Sequence, residues 1–156
     1  MNDIPIAALA IAEHAMKTLY PGALASVVAG RTKRRVGEHF GLTHYGVNLT
    51  QLAPGAASAL LHRHSHEDEL VYIVSGTVIL ILDTAEFTLQ AGDCCGFKAG
   101  CGKAHQLVNR SDGIVTYLEV GNRAPDDQVE YPNDDLKLAT APDGRRFALH
   151  KDGTPY

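Results

Sequence analysis

At 156 residues the chain has the length of one compact domain, for which about 100–200 residues is usual, and leaves no room for two. Hydrophobic residues at 45% against 21% charged exclude a disordered or fibrous chain and are enough for a true core without disulfides. A net charge of −4, from 14 basic and 18 acidic side chains, gives no general pull toward phosphate backbones, so no nucleic acid partner is expected.

Residues 1–41 read as an N-terminal extension. The apolar stretch Ile4 to Ile11 has no positive leading segment, contains Pro5 and runs at once into Glu13 and His14. It does not read as a signal peptide, and it is too short to span a bilayer, so no membrane partner is expected either. Asp3 can cap, and Pro5 suits the first turn of, a short helix from about Pro5 to Met16, although its alternating Ala and Ile fit an extended segment equally well. Further on, Arg31, Lys33, Arg34 and Arg35 place four charges in five positions. Such a run can bind an anion, but its usual reading is a solvated loop or edge segment.

Residues 42–121 change to short runs rich in Val, Ile, Leu, Thr and Tyr, divided by turn signals. Strands are predicted at Tyr45–Ala53, Ala59–His64, Leu70–Ser75, Thr77–Leu82, Glu86–Gln90, Cys94–Lys98, His105–Asn109 and Ile114–Val120. Eight short strands point to an all-β closed or doubly layered barrel. Tyr45, Tyr72 and Tyr117 fall on these strands and are expected in the core or cavity wall. Residues 122–156 carry too few apolar side chains for a second core and are expected to pack on the barrel or on a partner subunit.

Residues 62–69 read His-Arg-His-Ser-His-Glu-Asp-Glu. Period two on a strand brings His62 and His64 to one face, and Glu69 can return toward them from the next strand after a turn. Imidazole and carboxylate are the donors that hold divalent first-row metals. His66 continues the row, so a register using His64, His66 and Glu69 stays open, as does a solvated His-rich loop; in the first register His66 is a rim residue. His105 opens a later apolar strand and supplies a fourth donor. His44 can be read as a cavity group, but a lone histidine is more often packed or on the surface. Three cysteines are too few and too odd in number for a disulfide framework, which points to a reducing, cytoplasmic setting. Adjacent Cys94 and Cys95 point to opposite faces of a strand and read as structurally buried, whereas Cys101, in a Gly-rich loop near His105, is the better candidate for reactivity. Phosphate-loop and dinucleotide fingerprints and the Gly-x-Ser-x-Gly elbow are absent, so kinase and hydrolase readings have no support.

These residues resemble the two motifs of a single-domain cupin. Gly55, His62, His64, Glu69 and Gly76 match the first, with four residues between His64 and Glu69 and six between Glu69 and Gly76. Gly92, Gly100, His105 and Asn109 follow the second, with Lys98 where a proline is usual and a longer gap between Gly100 and His105, which implies a larger loop around Cys101. The resemblance covers most of the chain from about Val28 and extends to small bacterial cupins of unassigned role. It implies a double-stranded β-helix, or jelly roll, with both extensions attached. It also implies one divalent transition metal ion, Fe, Mn, Ni, Co or Zn, held by His62, His64, Glu69 and His105, with open positions for a ligand. The function it implies is a metal-binding cupin with a cavity for a small polar organic molecule, acting as an oxygenase or isomerase, or else as a non-enzymatic binding or sensing module. Cupins of this size commonly pair, so a homodimer is expected.

Overall fold

Period-two alternation of branched and polar residues builds antiparallel strands throughout the computed structural model, which describes residues 4–14, 18–141 and 145–156. A five-stranded sheet runs in the order β1 (Arg31–Arg34), β2 (Tyr45–Leu52), β9 (Val115–Asn122), β4 (Glu69–Ser75), β7 (Cys94–Phe97). A three-stranded sheet of β6 (Ala85–Gln90), β5 (Thr77–Leu82) and β8 (His105–Val108) packs against it. The fold is a cupin-type jelly roll. Its core lies between the layers, where Val71 and Ile73 of β4 meet Val78 and Leu80 of β5 and Val115 and Tyr117 of β9.

The same alternation sends Leu70, Tyr72 and Val74 outward, each 44–48% exposed. Tyr117 is buried as expected, but Tyr72 and Tyr45 are not: Tyr72 pairs with Leu118 and Cys94 on the outer face, and Tyr45 begins its strand at the rim. Cys94 shares that outer face and is exposed, against the expectation that both neighbouring thiols are buried, while Cys95 packs on the core.

Two turns close on tight contacts. Gly76, at φ +85°, joins β4 to β5, and a Cβ there would sit 2.9 Å from the Ile114 carbonyl oxygen. Asn109, fully buried, donates through Nδ2 to the carbonyls of Leu52 (2.9 Å) and Gly113 (2.8 Å), while its Oδ1 accepts from the Ser111 amide (3.0 Å) and hydroxyl (2.7 Å). It pins three chain segments together.

The strand predicted over Ala59–His64 shrinks to β3 (Arg63–His64). Upstream, isolated backbone pairs at Ser58–Leu107 and His62–His105 are joined by side-chain bonds in place of a continuous ladder: Ser58 Oγ accepts from the Leu107 amide, and Gln106 donates to the Ala59 carbonyl. The predicted N-terminal helix is reduced to a 3-10 turn at Ala8–Ala10; its ends at Asp3 and Met16 lie outside the described residues. Ile4 and Leu9 are 73% and 60% exposed and Ile11 alone among the described apolar side chains of the segment is buried, so it lacks the continuous packed face that stabilises a short helix in a protein.

After β9 the chain forms β10 (Val129–Glu130), β11 (Lys137–Thr140) and β12 (Arg146–Leu149), none of them predicted, and these extend from β3 as a four-stranded sheet. A second apolar cluster of Leu60, Tyr131 and Leu136, flanked by Tyr20 and Leu24, fastens this segment to the barrel. No helix among the described residues is long and apolar enough to cross a membrane.

Candidate metal centre

Backbone pairing brings the four donor side chains to one end of the barrel. His62 and His105 exchange amide-to-carbonyl bonds (3.1 and 2.8 Å), which sets their rings 4.5 Å apart, centroid to centroid. Glu69 opens β4 between Phe97 and Gly121, and the Phe97 ring stacks on His105 at 3.6 Å and 4°, fixing the imidazole plane. One oxygen, Glu69 Oε2, lies 3.0 Å from His105 Nε2 and 4.0 Å from His64 Nε2. Donor atoms of His62, Glu69 and His105 all fall within 4.8 Å of one another.

The tautomers of two ligands follow from their far sides. His62 Nδ1 donates to the Leu60 carbonyl at 2.9 Å, and His64 Nδ1 donates to Asp127 Oδ2 at 2.7 Å, so both Nε2 lone pairs are left for the centre. Burial, reinforced by the neighbouring His105, holds the His62 imidazolium down to about 4, so the ring is a neutral donor at ordinary pH. For Glu69, burial alone would favour the protonated acid, but the bond from His105 and the surrounding imidazoles outweigh it and bring the carboxyl to about 2. His62, Glu69 and His105 form one donor group, with His64 Nε2 beside it at 4.0 Å from the Glu69 carboxylate, and these imidazole and carboxylate donors are of the kind that fits a first-row divalent ion.

Asp127 is the site residue that the sequence did not point to. Its Oδ1 accepts from the amides of His66 (2.9 Å) and Glu67 (3.2 Å) and from the Ser65 hydroxyl (3.3 Å), while Oδ2 holds His64. Partial burial opposes its charge, but the His64 and amide bonds hold the carboxyl below the usual aspartate range. His64, Glu67 and Asp127 also bring donor atoms within 4.8 Å of one another, but the His64 atom involved is the Nδ1 already bonded to Asp127. We read this cluster as a brace for His64. From the other side of the second apolar cluster, the Tyr131 ring lies 6.2 Å from that of His62.

His66 belongs to neither group. It is exposed, with Nδ1 2.8 Å from Ser65 Oγ, so the shifted register is not assembled. His44 and Cys101 are also exposed. Burial, with the Glu69 charge nearby, pushes the Cys95 thiol up to about 11, which makes it a poor nucleophile.

A cleft of 440 Å³ opens over the centre, its far wall formed by β1, β2 and β9. Glu119 stands on that wall, accepting from Asn48 Nδ2 at 2.9 Å and paired with Lys33. Glu67 and Asp68 also reach the cleft, but their carboxylates accept from the amides of Ala124 (3.0 Å) and Ala99 (2.7 Å). The basic run is thus more than a solvated edge, since Arg31, Lys33 and Arg35 all line the cleft.

A family model for the cupin domain matches residues 48–121. A cupin-superfamily sugar phosphate isomerase from Silicibacter pomeroyi DSS-3 is 36% identical, over 98% of this chain and 96% of that one, with a TM-score of 0.89. A candidate sugar phosphate isomerase from Acidithiobacillus ferrooxidans ATCC 23270 is 27% identical, over 88% of this chain and 96% of the other, at 0.71. A cupin-2 domain from Rhodospirillum rubrum, 20% identical over 74% of this chain and 73% of that one, shares the fold at 0.59. The comparison with curated proteins returned no match.

Proposed function

Because the chain belongs to the cupin family and gathers His62, Glu69 and His105, with His64 alongside, under a polar cleft, we propose that it is a metal-dependent isomerase of small polyhydroxylated carbonyl compounds, the sugar class. The observation that carries this reading is the wall opposite the donors. Its charged and amide groups suit hydroxyls, and the relatives described as sugar phosphate isomerases match this chain nearly end to end. A bound divalent ion supplies a Lewis acid for a carbonyl or hydroxyl oxygen. An aldose–ketose shift needs no outside oxidant or reductant: one proton leaves C2 and one arrives at C1, while the hydroxyl proton passes from one oxygen to the other.

Glu119 is the proton carrier in this reading. Glu69 is taken by the donor set, Glu38 by Arg35 and Arg123, and Glu67 and Asp68 by backbone amides, whereas Glu119 meets Lys33 and Asn48 through Oε1 alone and faces the cleft with its side chain 12% exposed. Asn48, bonded to it, orients the carboxylate. The setting is cytoplasmic, where the free thiols of Cys94, Cys95 and Cys101 stay reduced.

The test is deuterium exchange into a panel of pentoses, hexoses and their phosphates, followed by NMR with protein loaded in turn with Fe, Mn, Co, Ni and Zn. Exchange at C1 or C2 with interconversion is expected. Glu119→Gln should keep the metal and lose about 100-fold or more in turnover, the usual size of a general-base contribution. Sugar binding without exchange under any metal would overturn the isomerase and leave a binding protein.

A further inference from the structure

Charged side chains on an edge strand ordinarily guard it from the solvent side. In β1 the register does something else with two of them. Arg31 lies opposite Leu52 and Lys33 opposite Thr50, both partners fully buried, so period two turns these two cations toward the barrel interior. Arg34 faces the other way, to Gln51 and Glu13. Lys33 is shared with Glu119. Arg31 donates to the Ser58 carbonyl and, among the described residues, has no carboxylate partner.

A half-buried guanidinium held by one neutral acceptor leaves most of its five donors unused and its charge uncompensated. Close by, the Tyr117 hydroxyl is fully buried beside Thr50, its partner across the strand pair. Both groups stand on the inner face that continues into Glu119, across the cleft from His62 and His64. We propose that Arg31, with Lys33 beside it, forms a phosphate-binding subsite that anchors a phosphate monoester on the substrate while the rest of the molecule reaches the donor cluster. The planar guanidinium fork matches phosphate oxygens two at a time, and a cleft of 440 Å³ has room for a phosphorylated sugar. This assignment rests on the isomerase reading for the sugar part of the ligand, yet it can be measured without turnover.

Calorimetry on metal-loaded protein would compare inorganic phosphate, a hexose 6-phosphate and the parent hexose. Wild type should take up one phosphate per chain and prefer the phosphorylated hexose by about tenfold or more. Arg31→Gln should erase that preference and weaken phosphate by about 10- to 100-fold with metal content unchanged, while Arg110→Gln, whose native side chain pairs with Glu86 on the outside, should bind as wild type. Should Arg31→Gln fail to fold, Arg31→Lys decides: it keeps the charge without the fork, and a several-fold loss is expected. Unaltered phosphate affinity in the Arg31 variant, or equal binding of both hexoses by wild type, overturns the subsite. Exchange on phosphorylated sugars that is indifferent to Arg31 would overturn the subsite and keep the isomerase. Arg31-dependent phosphate binding with no exchange on any sugar would do the reverse.

Discussion

Asp127 does for His64 what the Leu60 carbonyl does for His62: it takes the Nδ1 proton and turns Nε2 inward. A carboxylate also raises the basicity of the ring, and loss of such outer partners typically costs 10- to 100-fold in metal affinity. Asp127→Asn preserves the shape but removes the charge, so a weakening of about that size is expected in competition with a chromophoric chelator; an unchanged affinity would show that the brace is idle. The group of His62, Glu69 and His105, with His64 beside it, was legible because three of these residues fall in one short stretch whose period matches a strand, and His105 opens a later apolar run. Asp127 was not readable, since it joins His64 from a polar loop far along the chain and leaves no local pattern. Asn109, found through the second motif, holds backbone: both of its amide hydrogens and its oxygen are spent on the chain itself.

Among the elements, the β4–β5 turn shows how backbone shape constrains the barrel. Gly76→Ala combines a left-handed φ with a Cβ 2.9 Å from the Ile114 carbonyl oxygen, so a loss of about 1–3 kcal/mol is expected in urea denaturation, with the slope unchanged. A midpoint equal to wild type would mean that the turn relaxes freely. The strands between glycine turns were legible because apolar alternation and turn residues agree there. Where they disagree, the reading failed. β1 is written in basic residues, β10 to β12 lie in a polar stretch that borrows its apolar cover from Leu60 and Tyr20, and the run before Arg63 is held by one backbone pair at His62 together with the Ser58 and Gln106 side chains instead of a continuous ladder.

For the molecule as a whole, the row Leu70, Tyr72 and Val74 and the N-terminal Ile4 and Leu9 stand exposed, the kind of apolar surface that a second copy can cover. A homodimer is the expected state, and light scattering at micromolar protein should return twice the chain mass; the mass of a single chain would refute it. The order in which the parts arrive during synthesis carries a consequence of its own. By the time His105 leaves the ribosome every donor atom has been made, but Asp127 and Tyr131 are still to come. At that moment the His64 ring still lacks the carboxylate that fixes it. The orientation of that ring therefore belongs to the finished chain, and the segment after β9 is the clasp that sets it.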